Sequence, residues 1–334
     1  MPTTVTSKIG ATNSPTTMDY TTLQAWEDAC PANLVTDDKI WRGECYDQGE
    51  FTGTGVLLTI SGTTTDATRY VELTCAAGAS FNDKAGVRSN ALYYNASGGV
   101  AIRRTSGYGF TISNLVNYTR LNNLQIKKDL GNGAPIGPGS SQQGTWIDRC
   151  ILHLATSLAS ICLNLTTTGS VKHLVSNSLI LGKSANVHCT VYSSAAYNCT
   201  CISTDGLGTN YSTTGYGTGT VKNCAGFGAG AFLTGTPAYA DYNASDIAGL
   251  GGAHSLSSLT FADQFVSTTN DFRTVDTGSL DGAGTPDATY APTDISNTTR
   301  HASTPTIGCW EVVAAAAASD SMKPLSIPSA LLCM

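Results

Sequence analysis

Charge is scarce in this sequence. Asp, Glu, Lys and Arg make up 13% of its 334 residues, about half the share usual in soluble domains. Only five residues are Glu, so carboxylates available for paired acid–base chemistry are few. No basic cluster exceeds the pairs Arg103-Arg104 and Lys127-Lys128, and the net charge is −6; both argue against a nucleic-acid groove. No stretch approaches the roughly 18 apolar residues of a membrane span. The opening MPTTVTSKIG lacks the apolar core of a signal peptide, so neither membrane association nor export is expected. Gly, Thr, Ser and Asn fill the gap, a composition that favours strands and turns over helices.

Cysteine, by contrast, is abundant. Eleven are present, a high count for a chain made in a reducing cytosol, and an odd number cannot pair completely within one chain. Asn-x-Ser/Thr occurs at Asn95, Asn117, Asn164, Asn198, Asn210, Asn243 and Asn297, which chance explains in an Asn- and Thr-rich chain.

One segment reads as helix. In Asp19 to Cys30, Thr21 and Gln24 have capping-box spacing, Leu23, Trp26 and Cys30 share a face, and Pro31 stops the run. The spacing predicts about ten helical residues whose apolar face covers the open end of a larger structure. This arm and helix are assigned to residues 1–50.

From Val56 to about Leu233, short alternating runs are broken by Gly, Asn and Thr. One segment recurs, centred on Asn123, Arg149, Asn177, Asn198 and Asn223 at intervals of 26, 28, 21 and 25 residues. Each copy reads apolar, any, Asn (once Arg), then alternation. A coil of a parallel β-helix needs about that many residues, and coils stacked roughly 4.8 Å apart align equivalent residues in columns. Leu124, Cys150, Ser178, Cys199 and Cys224 form one expected inward column, and Ile126, Leu152, Ile180, Cys201 and Gly226 the next. The thiols of Cys150, Cys199, Cys201 and Cys224 are thus expected in the core. The Asn column falls where the chain bends, because Asn tolerates the left-handed conformation. About seven coils would make a rod roughly 35 Å long. A β-sandwich also has short strands, but it would not repeat one motif at coil spacing.

Two further regions carry a family resemblance. The stretch from Asp241 to Asp246, then Phe261 to Val266, Asn270-Asp271-Phe272-Arg273, Gly278 to Thr285, Thr293 to Arg300 and Pro305 to Glu311 resembles the C-terminal end of bacterial and phage right-handed β-helix proteins. In that family the last segment reads Asp-Ile-Gly-Ala-Tyr-Glu; here Thr306 and Cys309 depart from it, while Ile307, Gly308, an aromatic and Glu311 remain. Residues from Lys8 to Phe51, including Asp19 to Leu23 and Ile40-Trp41-Arg42-Gly43, look like the start of phage and prophage proteins of this kind. The resemblance implies an all-β right-handed parallel β-helix over residues 51–311, closed by the C-terminal motif, and a viral setting. It implies no catalytic residue.

A search for chemistry returns little. Glycan hydrolysis needs two carboxylates about 5–9.5 Å apart; Asp205, Asp241, Asp246 and Asp263 are the acids near the late coils, and each also suits a turn. A calcium-dependent lyase would need clustered Asp and a basic residue, and Asp148-Arg149 is the nearest approach. Cys199-Thr200-Cys201 and His188-Cys189 lack the paired spacing of zinc sites, and no nucleophile motif surrounds the Ser and His residues. No cofactor, metal or catalytic residue is assigned.

The expected role is therefore structural. The chain reads as a non-enzymatic phage virion protein, a decoration or minor capsid protein on the particle surface, made in the bacterial cytoplasm, bound to the major capsid protein or other virion proteins and conceivable as a homotrimer. A tailspike or tail-fibre module that binds or cleaves host polysaccharide is the alternative. Residues 312–334, with spaced apolar side chains, form a C-terminal arm suited to a neighbouring subunit. Cys333, with Cys30 or Cys45 as second candidates, is the expected intermolecular disulfide partner, since the column argument does not reach these three.

Overall fold

A computed structural model describes residues 1–11, 18–84, 86–114, 116–138, 142–156, 161–164, 171–183, 187–190, 194–213 and 219–313. The chain opens with β1 (Thr3–Gly10), α1 (Leu23–Asp28) and α2 (Leu34–Asp37). Three strands then recur in each coil. They are β2 (Lys39–Tyr46), β3 (Phe51–Gly53) and β4 (Leu58–Ile60); β5 (Val71–Cys75), β6 (Ala101–Arg104) and β7 (Ile112–Asn114); β8 (Thr119–Asn122), β9 (Gln125–Lys128) and β10 (Ile136–Pro138); β11 (Trp146–Asp148), β12 (Ile151–Leu154) and β13 (Ile161–Asn164). The series continues with β14 (Leu174–Ser176), β15 (Leu179–Gly182) and β16 (Val187–Thr190); β17 (Ala195–Tyr197), β18 (Thr200–Ser203) and β19 (Thr209–Ser212); β20 (Thr220–Lys222), β21 (Ala225–Phe227) and β22 (Ala231–Thr234); and a final β23 (Tyr239–Asp241) and β24 (Ala244–Ser245).

Every named strand pairs in parallel with the equivalent strand one coil away, giving sheets of nine, eight and seven strands. This is a parallel β-helix, and a sandwich of antiparallel strands is excluded. We call the sheet from β1 to β23 the first, that from β3 to β24 the second, and that from β4 to β22 the third. The solenoid begins earlier than the sequence boundary at residue 51, because β1 and β2 pair over their whole length and β2 pairs with β5.

The repeated bend holds the coils in register. Asn123, Arg149, Asn177, Asn198 and Asn223 all adopt left-handed φ, between 48° and 61°, and Tyr242 continues the column at 54°. An amide-to-amide bond joins only one pair, Asn223 Nδ2 to Asn198 Oδ1 at 3.1 Å. Elsewhere the bend uses other partners: Asn177 donates to Asp148 Oδ1, and Arg149 donates to Asp148 and to Asn297 Oδ1. Arg149 thus takes the same backbone state without the same side-chain bond.

The N-terminal helix is shorter than the sequence suggested, and its cap is one residue later. Thr22, not Thr21, accepts from Ala25 N at 3.1 Å, so Gln24 stands too early in the helix to complete a capping box. Gln24 instead serves β4, the terminal strand of the third sheet. It accepts from Thr59 N and donates to Thr59 O, while Glu27 accepts from Ser61 N. Helix side chains thereby satisfy strand-edge groups that would otherwise lack partners. Leu23 and Trp26 are buried beside them, and Gly43 makes room: a Cβ there would lie 2.7 Å from both Ile9 and Trp26.

The C-terminal segment runs along the flank of the solenoid rather than over its end, contrary to the closing role implied by the resemblance. Cys309 N donates to Thr200 Oγ1 of β18, and Gly308, at φ 100°, sits where a Cβ would be 2.6 Å from that oxygen. Two ion pairs fasten the segment, Arg88 with Asp294 at 2.8 Å and Lys222 of β20 with Asp287 at 3.4 Å. Within the segment Arg300 meets Glu311 at 3.2 Å with both side chains buried. Arg300 also donates to Asn177 Oδ1, tying the segment to the bend column. Removing one partner of such a buried pair strands the other charge.

The left-handed bend makes a direct test. Asn198→Val places a β-branched residue in a conformation it resists, with an expected loss of about 2–3 kcal/mol, whereas Asn198→Gly keeps the backbone and loses chiefly the amide bond, about 1 kcal/mol. Equal losses in denaturant unfolding would refute a backbone role for this column.

Candidate functional site

The inward columns are filled as follows. Ile126, Leu152, Ile180, Cys201 and Gly226 are in direct register. Leu124, Cys150, Ser178, Cys199 and Cys224 are all fully buried. What the sequence did not reveal is that the polar atom in this second column has work to do. Cys150 Sγ donates to Asp148 O, Cys199 Sγ to Tyr197 O and Cys224 Sγ to Lys222 O, each at 3.3 Å, and Ser178 Oγ makes the same bond to Ser176 O. Each reaches the carbonyl two residues back, across the left-handed bend, and adds a second bond to an oxygen that already accepts the backbone N–H of the bend residue in the preceding coil. Burial pushes the Cys150 thiol up to about 12 and that of Cys201 well above its ordinary value.

The remaining thiols differ from expectation. Cys45 is not a peripheral residue but a fully buried one in β2, in register with Cys75, so it cannot reach another protein and is withdrawn as an intermolecular disulfide partner. Cys30 is partly exposed, and burial raises it to about 12. Among the described residues every cysteine is free; Cys333 and the arm 312–334, beyond residue 313, lie outside them.

The acids named from the sequence are engaged locally. Asp205 accepts from Ser203 Oγ and Leu207 N, Asp241 from Tyr242 N and His254 N, and Asp246 from Gly228 N. Asp263 is exposed on a short 3₁₀ turn. Asp148 accepts from Ser176 and Asn177 and faces Arg149, stabilising the coil edge.

The two basic pairs, separate in sequence, stack on one another. Arg103 is in register with Lys127 and Arg104 with Lys128. Alternation sends them to opposite sides of the second sheet. Arg104 and Lys128 are buried among backbone carbonyls: Arg104 donates to Thr54, Ser106, Phe110 and Tyr108, and Lys128 to Gly107 and Leu130. They fix the glycine-rich loops that follow β6 and β9. Arg103 and Lys127 face outward and share Asp129, at 2.6 and 3.1 Å.

That outward column continues through His153 into Leu181, Ile202 and Phe227. It is charged at one end and apolar at the other. The C-terminal segment covers the apolar part, where Phe265, Phe272, Ile295, Ile307 and Trp310 form a second hydrophobic cluster outside the coils. Between them stands the insertion 76–100, which separates β5 from β6. Its Tyr93 lies edge-on to His153, with ring centroids 5.1 Å apart, and Tyr94 donates to Glu50 at 2.5 Å. A cleft of about 580 Å³ opens where insertion, sheet and C-terminal segment meet.

Comparison with known protein families, curated proteins and solved structures finds no match to this chain.

Two outcomes are expected. Cys150, Cys199, Cys201 and Cys224 should resist iodoacetamide in the native protein and react only on unfolding; rapid native labelling of any of the four would contradict their burial. The second concerns His153, which is buried beside Lys127, so that desolvation and then that ammonium lower its pKa to about 4. Its unfolded value is about 6.5. Between these values the unfolded chain binds a proton that the folded chain refuses, so stability falls as pH drops through that window, by up to about 3 kcal/mol. His153→Gln should flatten the loss between about pH 6.5 and 4, and an unchanged slope in denaturant titrations would discount the effect.

Proposed function

We propose that this chain is a non-enzymatic structural component of a phage particle, a decoration or minor capsid protein seated on the major capsid protein. The observation that carries the reading is the use made of its polar groups. Asp205, Asp241, Asp246 and Asp148 hold turns and coil edges, and Arg104, Lys128 and Arg300 hold backbone carbonyls. Chemistry of that kind stiffens a rod. The viral setting comes from the phage-like N- and C-terminal stretches, and fold alone would not supply it.

Contacts to the shell fall to the ends of the chain in this reading. Cys333, with Cys30 as second candidate, is the thiol for a cross-link formed once particles leave the reducing cytosol. Purified particles should contain the chain, and a density map should place a rod of stacked coils on the capsid surface. Non-reducing electrophoresis should show a reductant-sensitive band above the monomer. The chain's absence from particles, or its location on a tail tip with release of reducing ends or unsaturated sugars from host polysaccharide, would favour the tailspike reading instead.

A further inference from the structure

The cleft beside the second sheet has a chemistry of its own. We infer that it is a binding site for a short neutral saccharide. The inference goes beyond the structural role proposed above and does not depend on it. At about 580 Å³ the cleft falls within the range of small-ligand sites, about 300–1,000 Å³. Its wall is aromatic, with Phe81, Tyr93 and Tyr94 each partly exposed and Trp310 closing one side. Asn90, Ser97 and Asn270 line the rim. A pyranose presents an apolar C–H face and a ring of hydroxyls. Aromatic rings suit the first, and carboxamides, which both donate and accept, suit the second.

Charge selects among ligands. Lys84 is the one charged residue among the described lining residues, and its ammonium is 2.6 Å from Asp47. Arg88, stacked on the Trp310 ring at 3.9 Å, is paired with Asp294. An anionic ligand would therefore have to compete with Asp47 and Asp294, and a cationic one would meet no lining carboxylate.

The walls are also held in place before anything binds. Tyr94 is fixed by Glu50 on one side and has Lys127 Nζ 5.4 Å from its ring centre on the other. Tyr93 packs on both His153 and Phe272. The backbone of Asn95 is bonded twice to the buried Gln125 of β9, through Asn95 N and Asn95 O. Little ordering remains to oppose binding.

Calorimetric and saturation-transfer titrations of the full chain with maltohexaose, cellohexaose and N-acetylchitohexaose, and with hexagalacturonate as the acidic control, test this. At least one neutral sugar should bind more tightly than the acidic one. Tyr93→Ala should weaken that binding about tenfold or more, while Tyr93→Phe, which keeps the ring, should retain most of it. Thermal melts of each variant control for folding, and Asn90→Ala, a change at an exposed rim position, gives an independent reading should Tyr93→Ala unfold. Binding by none of the three neutral sugars overturns the inference. So does a preference for hexagalacturonate, or binding unchanged in folded Tyr93→Ala and Asn90→Ala.

Discussion

The spacing between coils, roughly 4.8 Å, is the constraint on which the rest of this molecule depends. At that distance each residue is stacked on its equivalents above and below. A side chain unsuited to one place in the column is felt by three coils. The Asn column meets the constraint through backbone conformation: six successive bends share a left-handed residue, so each coil turns at the same point and the strands that follow start in register. The core columns meet it through volume, stacking Ile126, Leu152, Ile180, Cys201 and Gly226 in one and Leu124, Cys150, Ser178, Cys199 and Cys224 in the other.

Stacking also concentrates charge and polar need. Arg103 on Lys127, and Arg104 on Lys128, would repel if left alone at this distance. Asp129 and Glu50 offset the outward pair. The inward pair is spread over six carbonyls, which serve the cations and at the same time lock two loops. Burying a charge is tolerable when every donor finds an acceptor. The same logic explains Cys and Ser at the fourth position of the repeat, where a thiol or hydroxyl is small enough for the core and can still reach the carbonyl behind the bend.

The second sheet is covered on both faces along much of its length. Strands β12, β15 and β18 are buried at all four positions, as expected of parallel strands with a layer on either side. The inner layer is the solenoid core; the outer is the C-terminal segment with part of the insertion 76–100. Where that cover stops, the outward column changes from apolar to charged, and the cleft lies at the junction.

Sequence alone determined the coil. The spacing of Asn123, Arg149, Asn177, Asn198 and Asn223 was enough to place the bends and both inward columns, because a stacked repeat makes position in the motif equivalent to position in space. It gave too late a start for the solenoid, since β1 and β2 precede the first recognisable copy of the motif and pair without it. The helix cap moved from Thr21 to Thr22, a one-residue choice that the local pattern leaves open. Cys45 illustrates a missed signal: Trp41, Gly43 and Cys45 alternate with Arg42 and Glu44, the period of a strand with one buried face. The cleft was not legible. Tyr93, Gln125 and Trp310 are far apart along the chain, and only Gln125 belongs to the repeat. They meet because the C-terminal segment folds back along the flank, drawn there by the apolar outer face of the second sheet and by the Arg88–Asp294 and Lys222–Asp287 pairs, and only tertiary packing decides such a meeting.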